Sequence, residues 1–276
     1  MTTRPPARGG SRGRGYAHHV SQQETVLARP DRGAHIAQVH TCPERLTEAV
    51  GLFLGEGLRA GGAALVVARP AHRERFAAAL ARDGVDVAGA VARGQLTWLD
   101  AEATLRGLMV DDLPDRERFE AGVAAAVTGK LERWPEVRAY GEVVDLLWQD
   151  GRQAAALALE GLWNGLLARR PFALLCGYAI DPLSDASYGG PLERVCGVHS
   201  HLVHEPDARR LDQLVRAAGR ELLDEQLGNL LHRFVATRAA ETVMSTGQAT
   251  LLWLMEHMPL TGERLLARVR AEMGRA

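Results

Sequence analysis

The chain has 276 residues, 46% of them hydrophobic, which is enough apolar side chain to fill a sizeable core. Its formal net charge of -1 gives no indication of nucleic acid or an anionic membrane as a partner. It has no apolar run long enough to span a bilayer and no signal-peptide segment near its start, so we expect a cytoplasmic protein without a membrane partner. Cys42, Cys176 and Cys196 are too few and too scattered for a disulfide framework.

Residues 1–33 combine Arg, Gly and Pro with almost no apolar side chains. Such a segment cannot bury enough surface to offset the entropy of ordering, so we predict a disordered Arg/Gly-rich arm. An arm of this kind could bind nucleic-acid phosphates, but a short solvated tail is the preferred interpretation.

From Ala34 onwards, short apolar runs alternate with segments of helical periodicity. This alternation is typical of an α/β layer fold with a mostly parallel sheet. Five strands are predicted at AHIAQVH, AALVVA, QLTWL, VRAY and FALLCGY. Helices are predicted from Pro43 to Leu58, from Pro70 to about Asp83, and over 101–109, 116–130, 142–149 and 152–168.

After Pro206 the chain has no strand-like stretch, and its apolar residues recur at helical spacing. Residues 206–276 are therefore predicted to form an all-helical appendage of three or four helices. Trp253, Met255, Met258 and Leu260 provide apolar surface there. That surface could be buried in the same chain, or it could contact a protein partner or a second copy in a homo-oligomer.

Four segments, VRAYGEVVDLLW, LEGLWNGL, FALLCGYAI and CGVHS, resemble successive motifs of the MEDS family of sensory domains. The resemblance runs from about His35 to about His204. It implies a RecA/KaiC-like three-layer fold over residues 34–205 and a sensory role.

In a RecA-like ATPase a glycine-rich loop ending in Lys-Ser or Lys-Thr holds the phosphates, and we look for it after the second strand. Here that turn reads ARPAHRERF, without glycine or lysine, so we expect a degenerate phosphate loop and no ATP hydrolysis. Arg69, His72 and Arg73 could still hold an anion at the helix start, or they could be a solvated basic turn.

Arg138, Glu142 and Asp145 follow one another across a predicted strand-to-helix junction. If Arg138 lies at the carboxyl end of its strand, it is at the edge where open α/β sheets bind ligands. The carboxylate of Glu142 could instead be explained by the dipole of the following helix. No nucleophile or metal set accompanies the two acids, so the sequence favours electrostatic recognition over acid/base catalysis.

A second polar set follows in the chain. Glu160, Trp163 and Asn164 share one side of a predicted helix, and Cys176 and Tyr178 end the next strand. The alternative is that Trp163 is core, Asn164 satisfies a loop and Glu160 pairs with a cation. Together with His199, the two sets are our predicted ligand-binding residues. We predict that Arg138 and Tyr178 converge with Glu142 and Asn164 around one cavity.

A zinc site was weighed, because Cys196 and His199 form a C-x-x-H pair and His40, Cys42 and Cys176 end strands. No second close pair such as C-x-x-C accompanies them, and isolated cysteines are usually buried hydrophobes. The sequence therefore predicts no metal and no cofactor.

These observations predict a non-catalytic sensory domain that binds a small ligand at the carboxyl edge of its sheet. No output domain is evident, so the signal would pass through protein contacts. Two alternatives stay open, namely a protein-interaction adaptor with a vestigial pocket and an enzyme that uses Glu142 and Asp145.

Overall fold

The computed structural model describes residues 22–188, 190–204, 208–239 and 243–274. Helices and strands alternate over most of the chain up to residue 204, and the described elements after it are all helices. In chain order they are α1 (Gln22–Ala28), β1 (His35–Val39), α2 (Pro43–Arg59), β2 (Ala63–Ala68), α3 (Pro70–Arg82), α4 (Val87–Ala92), β3 (Leu96–Asp100), α5 (Ala101–Leu108), β4 (Met109–Val110), β5 (Leu113–Pro114), α6 (Arg116–Phe119), a π-helical turn (Glu120–Ala124), α7 (Ala125–Leu131), β6 (Val137–Gly141), α8 (Val143–Gln149), α9 (Gln153–Arg169), β7 (Ala173–Tyr178), a 3-10 turn (Asp185–Tyr188), α10 (Pro191–Val198), β8 (His201–His204), α11 (Ala208–Leu223), α12 (Glu225–Ala239), α13 (Thr246–His257) and α14 (Pro259–Met273).

Six strands form one sheet in the order β3-β2-β6-β7-β1-β8, and every neighbouring pair is parallel. The short strands β4 and β5 form a separate antiparallel pair. Parallel strands are covered by helices on both faces, which is why the runs HIAQV and AALVVA are buried along their whole length. This architecture confirms the predicted three-layer α/β class with a parallel sheet.

Two apolar cores separate the layers. Helices α1 to α4 pack on one face of the sheet through residues such as Leu46, Phe53 and Phe76. Helices α5 to α10 pack on the other face, where Phe119 and Leu159 are buried. Side chains alternate along each strand between these two cores, so each strand contributes to both.

The strand order creates two points where the chain leaves neighbouring strands in opposite directions. From β2 it continues outwards to β3, whereas from the adjacent β6 it continues the other way, to β7. A second reversal lies between the neighbouring strands β7 and β1. From β1 the chain crosses towards the β3 end of the sheet to form β2, whereas from β7 it crosses towards the other end to form β8. In open α/β sheets, ligands bind in the crevice that such reversals leave outside the carboxyl ends of the strands.

All five predicted strands are present, and the helices between Pro43 and Arg169 begin and end close to their predicted bounds. The sequence did not predict α4, α10 or β8. The disorder predicted for residues 1–33 does not hold for Gln22–Ala28, which form α1, because Leu27 is buried against α2 and joins the core. Residues 1–21 lie outside the described part of the chain. Within that part, no helix is long and apolar enough to cross a membrane.

The C-terminal region is helical, as predicted, and helices α11 to α14 pack together around Leu211, Leu251 and Leu266. Trp253 and Met255 are half-buried there, while Met258 and Leu260 are exposed. The apolar side chains of α11 to α13 also line an open groove of about 310 Å³; they are Leu223, Leu227, Leu230, Leu231, Phe234, Trp253 and Met258. The predicted boundary between residues 205 and 206 stays a prediction.

Candidate functional site

Four charged side chains meet at the carboxyl ends of β2 and β6, where the chain reverses direction. Arg69 and His72 follow β2, and Glu142 and Asp145 follow β6. We call these four residues the edge cluster. Both acids are 1% exposed, whereas the side chains of Arg69 and His72 are 30% and 15% exposed. The cations therefore cover the buried acids on the solvent side.

Every carboxylate oxygen of the edge cluster accepts at least one hydrogen bond. Glu142 Oε1 accepts from the backbone N–H and the Nε of Arg69, at 2.5 and 2.8 Å. Its Oε2 accepts from His72 Nδ1 at 2.6 Å and from the Tyr140 hydroxyl at 3.1 Å. Asp145 accepts from Arg69 Nη2 at 2.9 Å, and from the backbone N–H of Ala179 at 2.8 Å. The two acids are satisfied within the protein.

The local sequence places the Glu142 carboxylate at the start of α3. Arg69 has extended backbone before this helix and Pro70 occupies its first turn, so the Arg69 N–H points away from the helix without an intrahelical partner. Glu142 accepts this N–H. A helix start is a site where proteins commonly hold phosphate, and here the anion is a side chain of the same chain.

The electrostatics of the edge cluster follow from its pairing. Burial alone would raise the pKa of the Glu142 carboxyl, but hydrogen bonds from His72 and Arg69 and their charges bring it below its ordinary value. Burial and the neighbouring Glu142 raise the pKa of Tyr140 well above its usual range, so this hydroxyl stays a donor. The surroundings of Glu142 therefore favour its ionised form.

His40, just beyond the end of β1, lies within the electrostatic field of the edge cluster. Its side chain is 5% exposed, and its Nδ1 has no hydrogen-bond partner among the described residues. Burial lowers its pKa despite the nearby acids Asp145 and Glu142, so the ring is neutral at physiological pH. A buried nitrogen without a partner is rare in folded proteins and often marks a functional position.

A second polar group lies deeper, between α9, α10 and the sheet. Glu160 is 0% exposed, and around it are His35, Cys176, Tyr178 and His199, all 7% exposed or less. We call these five residues the internal cluster. His35 Nε2 lies 3.2 Å from Glu160 Oε2, and His199 Nε2 lies 3.4 Å from Oε1. The Tyr178 hydroxyl donates a short hydrogen bond to Oε1.

The hydrogen bonds of the internal cluster define which ring nitrogens carry hydrogen. His199 Nδ1 lies 2.7 Å from the carbonyl of Val195, which can only accept, so Nδ1 donates. Asn164 donates its amide to the Val198 carbonyl at 2.9 Å, so its oxygen faces His35 Nδ1, also at 2.9 Å, and accepts from it. The Nε2 of each ring then faces Glu160, with a lone pair when the ring is neutral and with a hydrogen when it is protonated.

The charge on Glu160 depends on these histidines. Burial would raise its pKa, but the positive charges that His199 and His35 can carry beside it bring it well below the ordinary range. The pKa of His35 is raised, because the attraction of Glu160 outweighs the effect of burial. Burial raises the pKa of the Cys176 thiol. Among the described residues, no Arg or Lys pairs with the buried carboxylate of the internal cluster.

Arg138 is not at either cluster, and the predicted convergence of Arg138 with Tyr178 around one cavity is wrong. Arg138 is the second residue of β6 and pairs with the first strand residues of β7, so it lies at the opposite edge of the sheet. Its guanidinium donates to the carbonyls of Phe53 and Ala28, at 2.7 and 3.2 Å. Gly57 makes room for it, since a Cβ there would lie 2.6 Å from Arg138 Cδ.

The other predicted site residues divide between the two clusters and the core. Glu142 and Asp145 belong to the edge cluster, and Glu160, Asn164, Cys176, Tyr178 and His199 belong to the internal cluster or contact it. Trp163 is a core residue in edge-on contact with Phe119. Arg73 lies outside the edge cluster, 3.5 Å from Asp100.

Sequence reasoning missed His35 and Tyr140. Both occupy fully buried strand positions, and a polar residue within a buried strand is the signal that could have identified them. A cavity of about 10 Å³ adjoins the internal cluster at Cys176, with otherwise mostly apolar walls. This is room for about one water, so an organic ligand does not fit beside Cys176 in this conformation.

Residues 34–200 match the model of the family described as MEDS, MEthanogen/methylotroph, DcmR Sensory domain. The chain belongs to the MEDS family. The matched region includes both clusters and five of the six strands of the sheet, and it excludes β8 and the C-terminal helices. No curated protein shows significant similarity to this chain.

Membership of the MEDS family assigns the matched region to a class of sensory domains. It confirms the family that the sequence motifs indicated. Which molecule the domain senses, and how a signal leaves it, are questions that the geometry of the site addresses.

Proposed function

We propose that this MEDS chain is a non-catalytic sensory domain that binds a small polar molecule at the edge cluster. The observation that supports it most directly is the buried Nδ1 of His40, which has no hydrogen-bond partner among the described residues and lies within electrostatic range of the edge cluster. A ligand that hydrogen-bonds to this nitrogen would satisfy it. The cluster also lies where the strand order reverses, which is the usual ligand position in such sheets.

The bonding of the two acids supports a role without catalysis. A general base must have an oxygen available to the substrate proton, and all four carboxylate oxygens of Glu142 and Asp145 already accept hydrogen bonds. Freeing one would leave Arg69 or His72 without its partner. These acids therefore suit the positioning of Arg69 and His72 for recognition better than acid/base chemistry.

The same bonding supports the absence of ATP hydrolysis. The start of α3 is filled by the Glu142 carboxylate, and the turn before it has no glycine-rich phosphate loop. With ATP and magnesium, the purified chain should release no phosphate above the background of a heat-denatured sample. Release that disappears in Glu142→Gln would favour the enzyme alternative.

We propose that the signal leaves through protein contacts of the C-terminal helices. Leu227, Leu230 and Phe234 of α12 are 46–60% exposed on the apolar groove. Apolar surface of this kind often marks a protein contact. The contact would be with a partner protein or a second copy of this chain. Analytical ultracentrifugation of the full chain and of Leu230→Glu distinguishes these, because only self-association changes the mass of the purified protein.

Native mass spectrometry of the full chain tests the ligand proposal. The expected result is a small molecule that is present under native conditions and absent after denaturation. His40→Leu should lose it while keeping the fold, since the removed Nδ1 has no partner in the described protein.

His257→Leu is the matched control, because His257 is an exposed histidine on α13, outside the matched family region. It should retain the molecule at the wild-type level. A molecule retained equally by His40→Leu and by Arg69→Gln would show that it binds elsewhere and would refute the proposal.

A further inference from the structure

We propose that the internal cluster is a metal site, in which His35, Glu160, Cys176 and His199 bind one zinc ion. One ligand atom from each of these residues lies within 4.8 Å of the others, and all four residues are buried. They come from β1, α9, β7 and the residue after α10, so the ion would join the sheet to the helices that cover it. The site is separate from the proposed ligand position at the edge cluster.

Three of the four ligand atoms are spaced as in a tetrahedral zinc site. Zinc binds nitrogen and oxygen at about 2.0–2.2 Å and sulfur at about 2.3 Å, which gives tetrahedron edges of about 3.3 Å between N and O and about 3.6 Å to S. His35 Nε2 lies 3.2 Å from Glu160 Oε2 and 3.4 Å from Cys176 Sγ. Cys176 Sγ lies 3.9 Å from the same oxygen. His199 Nε2, the fourth ligand atom, lies 3.4 Å from the other carboxylate oxygen of Glu160, and the four ligand atoms span up to 4.8 Å. Binding an ion therefore requires His199 to move closer to the other three.

The arrangement of lone pairs favours a cation over hydrogen bonds alone. Both imidazoles donate through Nδ1, so both Nε2 lone pairs face the carboxylate. His199 Nε2 is near Glu160 but not aligned for a hydrogen bond, and it has no other partner in the described chain. Protonating both rings would place two like charges at a ring separation of 4.1 Å inside the protein. A metal ion satisfies both lone pairs at once.

The hydrogen bonds that the four ligand residues make with their neighbours are those expected around a bound metal ion. Histidines that bind a metal usually donate their other ring N–H to a carbonyl or carboxylate, and here the acceptors are Asn164 and Val195. Tyr178 donates to the Glu160 oxygen that faces away from Cys176. Zinc would displace the thiol proton of Cys176 to solvent. Two neutral imidazoles, one thiolate, one carboxylate and Zn²⁺ then sum to zero charge, which lowers the cost of burial.

Four protein ligands without an open position are typical of structural zinc. The sequence predicted no metal because it has no pair of the C-x-x-C type. The ligands instead come from four separate elements, and Cys196, the partner of His199 in the C-x-x-H pair, is not among them. The proposed role is to stabilise the packing of α9 and α10 on the sheet.

Elemental analysis of the full chain, purified without a metal-binding tag from zinc-supplemented medium and then dialysed, tests the proposal. We expect about one zinc per chain, retained through dialysis as in other closed sites. A folded wild-type chain with less than about a tenth of this would overturn it.

Cys176→Ser should lose most of this zinc, and Cys196→Ser is the matched control because Cys196 is also buried but is not a ligand. Equal zinc in the two variants would refute Cys176 as a ligand.

X-ray absorption at the zinc edge of the wild-type chain needs no variant, and so remains decisive if Cys176→Ser does not fold. The expected environment is one sulfur at about 2.3 Å and three nitrogen or oxygen atoms at about 2.0 Å. Cobalt substitution should add a thiolate-to-metal charge-transfer band. A shell of nitrogen and oxygen only, or of two sulfurs, would overturn the assignment.

Discussion

The two polar clusters differ in how their buried acids are neutralised. In the edge cluster, two carboxylates face a permanently charged arginine and a histidine, and both of these side chains reach solvent. In the internal cluster, one carboxylate faces two histidines, and no arginine or lysine of the described residues pairs with it. A guanidinium holds its charge at any physiological pH, whereas an imidazole can exchange its proton for a metal.

This difference suggests different uses for two sets of similar residues. The edge cluster is complete in itself, and its partly exposed Arg69 and His72 face the solvent side, where we propose that a ligand binds. The internal cluster is enclosed, and with neutral histidine rings its Nε2 lone pairs face a carboxylate, so an ion suits it better than a molecule. The two clusters are neighbours through β7, where Tyr178 belongs to one and the next backbone N–H binds Asp145 of the other.

The largest effect is expected from Glu160→Ala. It removes the acceptor of Tyr178 and the partner of two buried histidines that cannot reach water. Breaking a buried pair of this kind costs about 3–5 kcal/mol, which urea unfolding would measure. Glu263→Ala, on the exposed face of α14, is the control and should change stability by no more than about 0.5 kcal/mol.

Glu142→Ala should cost less, about 1–3 kcal/mol in the same unfolding experiment. Arg69 and His72 would lose their partner but can take water instead, because both are partly exposed. Among these side chains, only Tyr140 would have a fully buried donor, its hydroxyl, left without the carboxylate acceptor. A loss for Glu142→Ala that equals or exceeds that for Glu160→Ala would contradict the difference in enclosure between the clusters.

The pH dependence of stability should separate Glu142 from other acids. Its pKa is lower in the folded chain than its ordinary value of 4.5, so its contribution is fully present above pH 4.5. The contribution is lost as the pH falls below that value and through the folded pKa. The stability difference between wild type and Glu142→Gln should therefore shrink in acid. A difference that stays constant down to about pH 3, roughly 1.5 units below that value, would contradict a lowered pKa.

The smallest effect is expected from Arg75→Ala, on the same helix as His72. Arg75 bonds to Glu44 at 2.7 Å, but the two side chains are 46% and 66% exposed. Exposed pairs contribute about 0.2–1 kcal/mol, and salt screens them. A loss comparable to that of Glu142→Ala would mean that burial is not what distinguishes the edge cluster from an ordinary surface pair.

Much of the fold could be predicted from local pattern, because buried parallel strands are uninterrupted apolar runs and the covering helices repeat their apolar residues at helical spacing. The strand β8 could not, since HLVH has only four residues and is polar at both ends. Helix α4 is also short and contains a glycine. Helix α1 follows a segment whose composition indicates disorder, and the burial of Leu27 against α2 was not visible locally.

Most of the site residues could be chosen individually from the sequence, but the sequence did not show which of them lie together in the fold. Arg69 and Glu142 were both selected from the sequence, yet their pairing depends on β2 lying beside β6, which no local pattern specifies. Arg138 was assigned to the carboxyl edge although β6 runs on for three residues beyond it, about 10 Å at strand spacing. His35 was missed because its partner Glu160 comes from a distant helix.

The sheet order also governs when this chain can fold. Strand β1 lies between β7 and β8, so His35 finds its strand neighbours only at Leu174 and beyond. During synthesis, β1 therefore cannot pair with its neighbouring strands until most of the family region has left the ribosome. Contacts this far apart in sequence slow folding, and we expect a slow folder whose fragments ending before residue 173 lack a stable sheet.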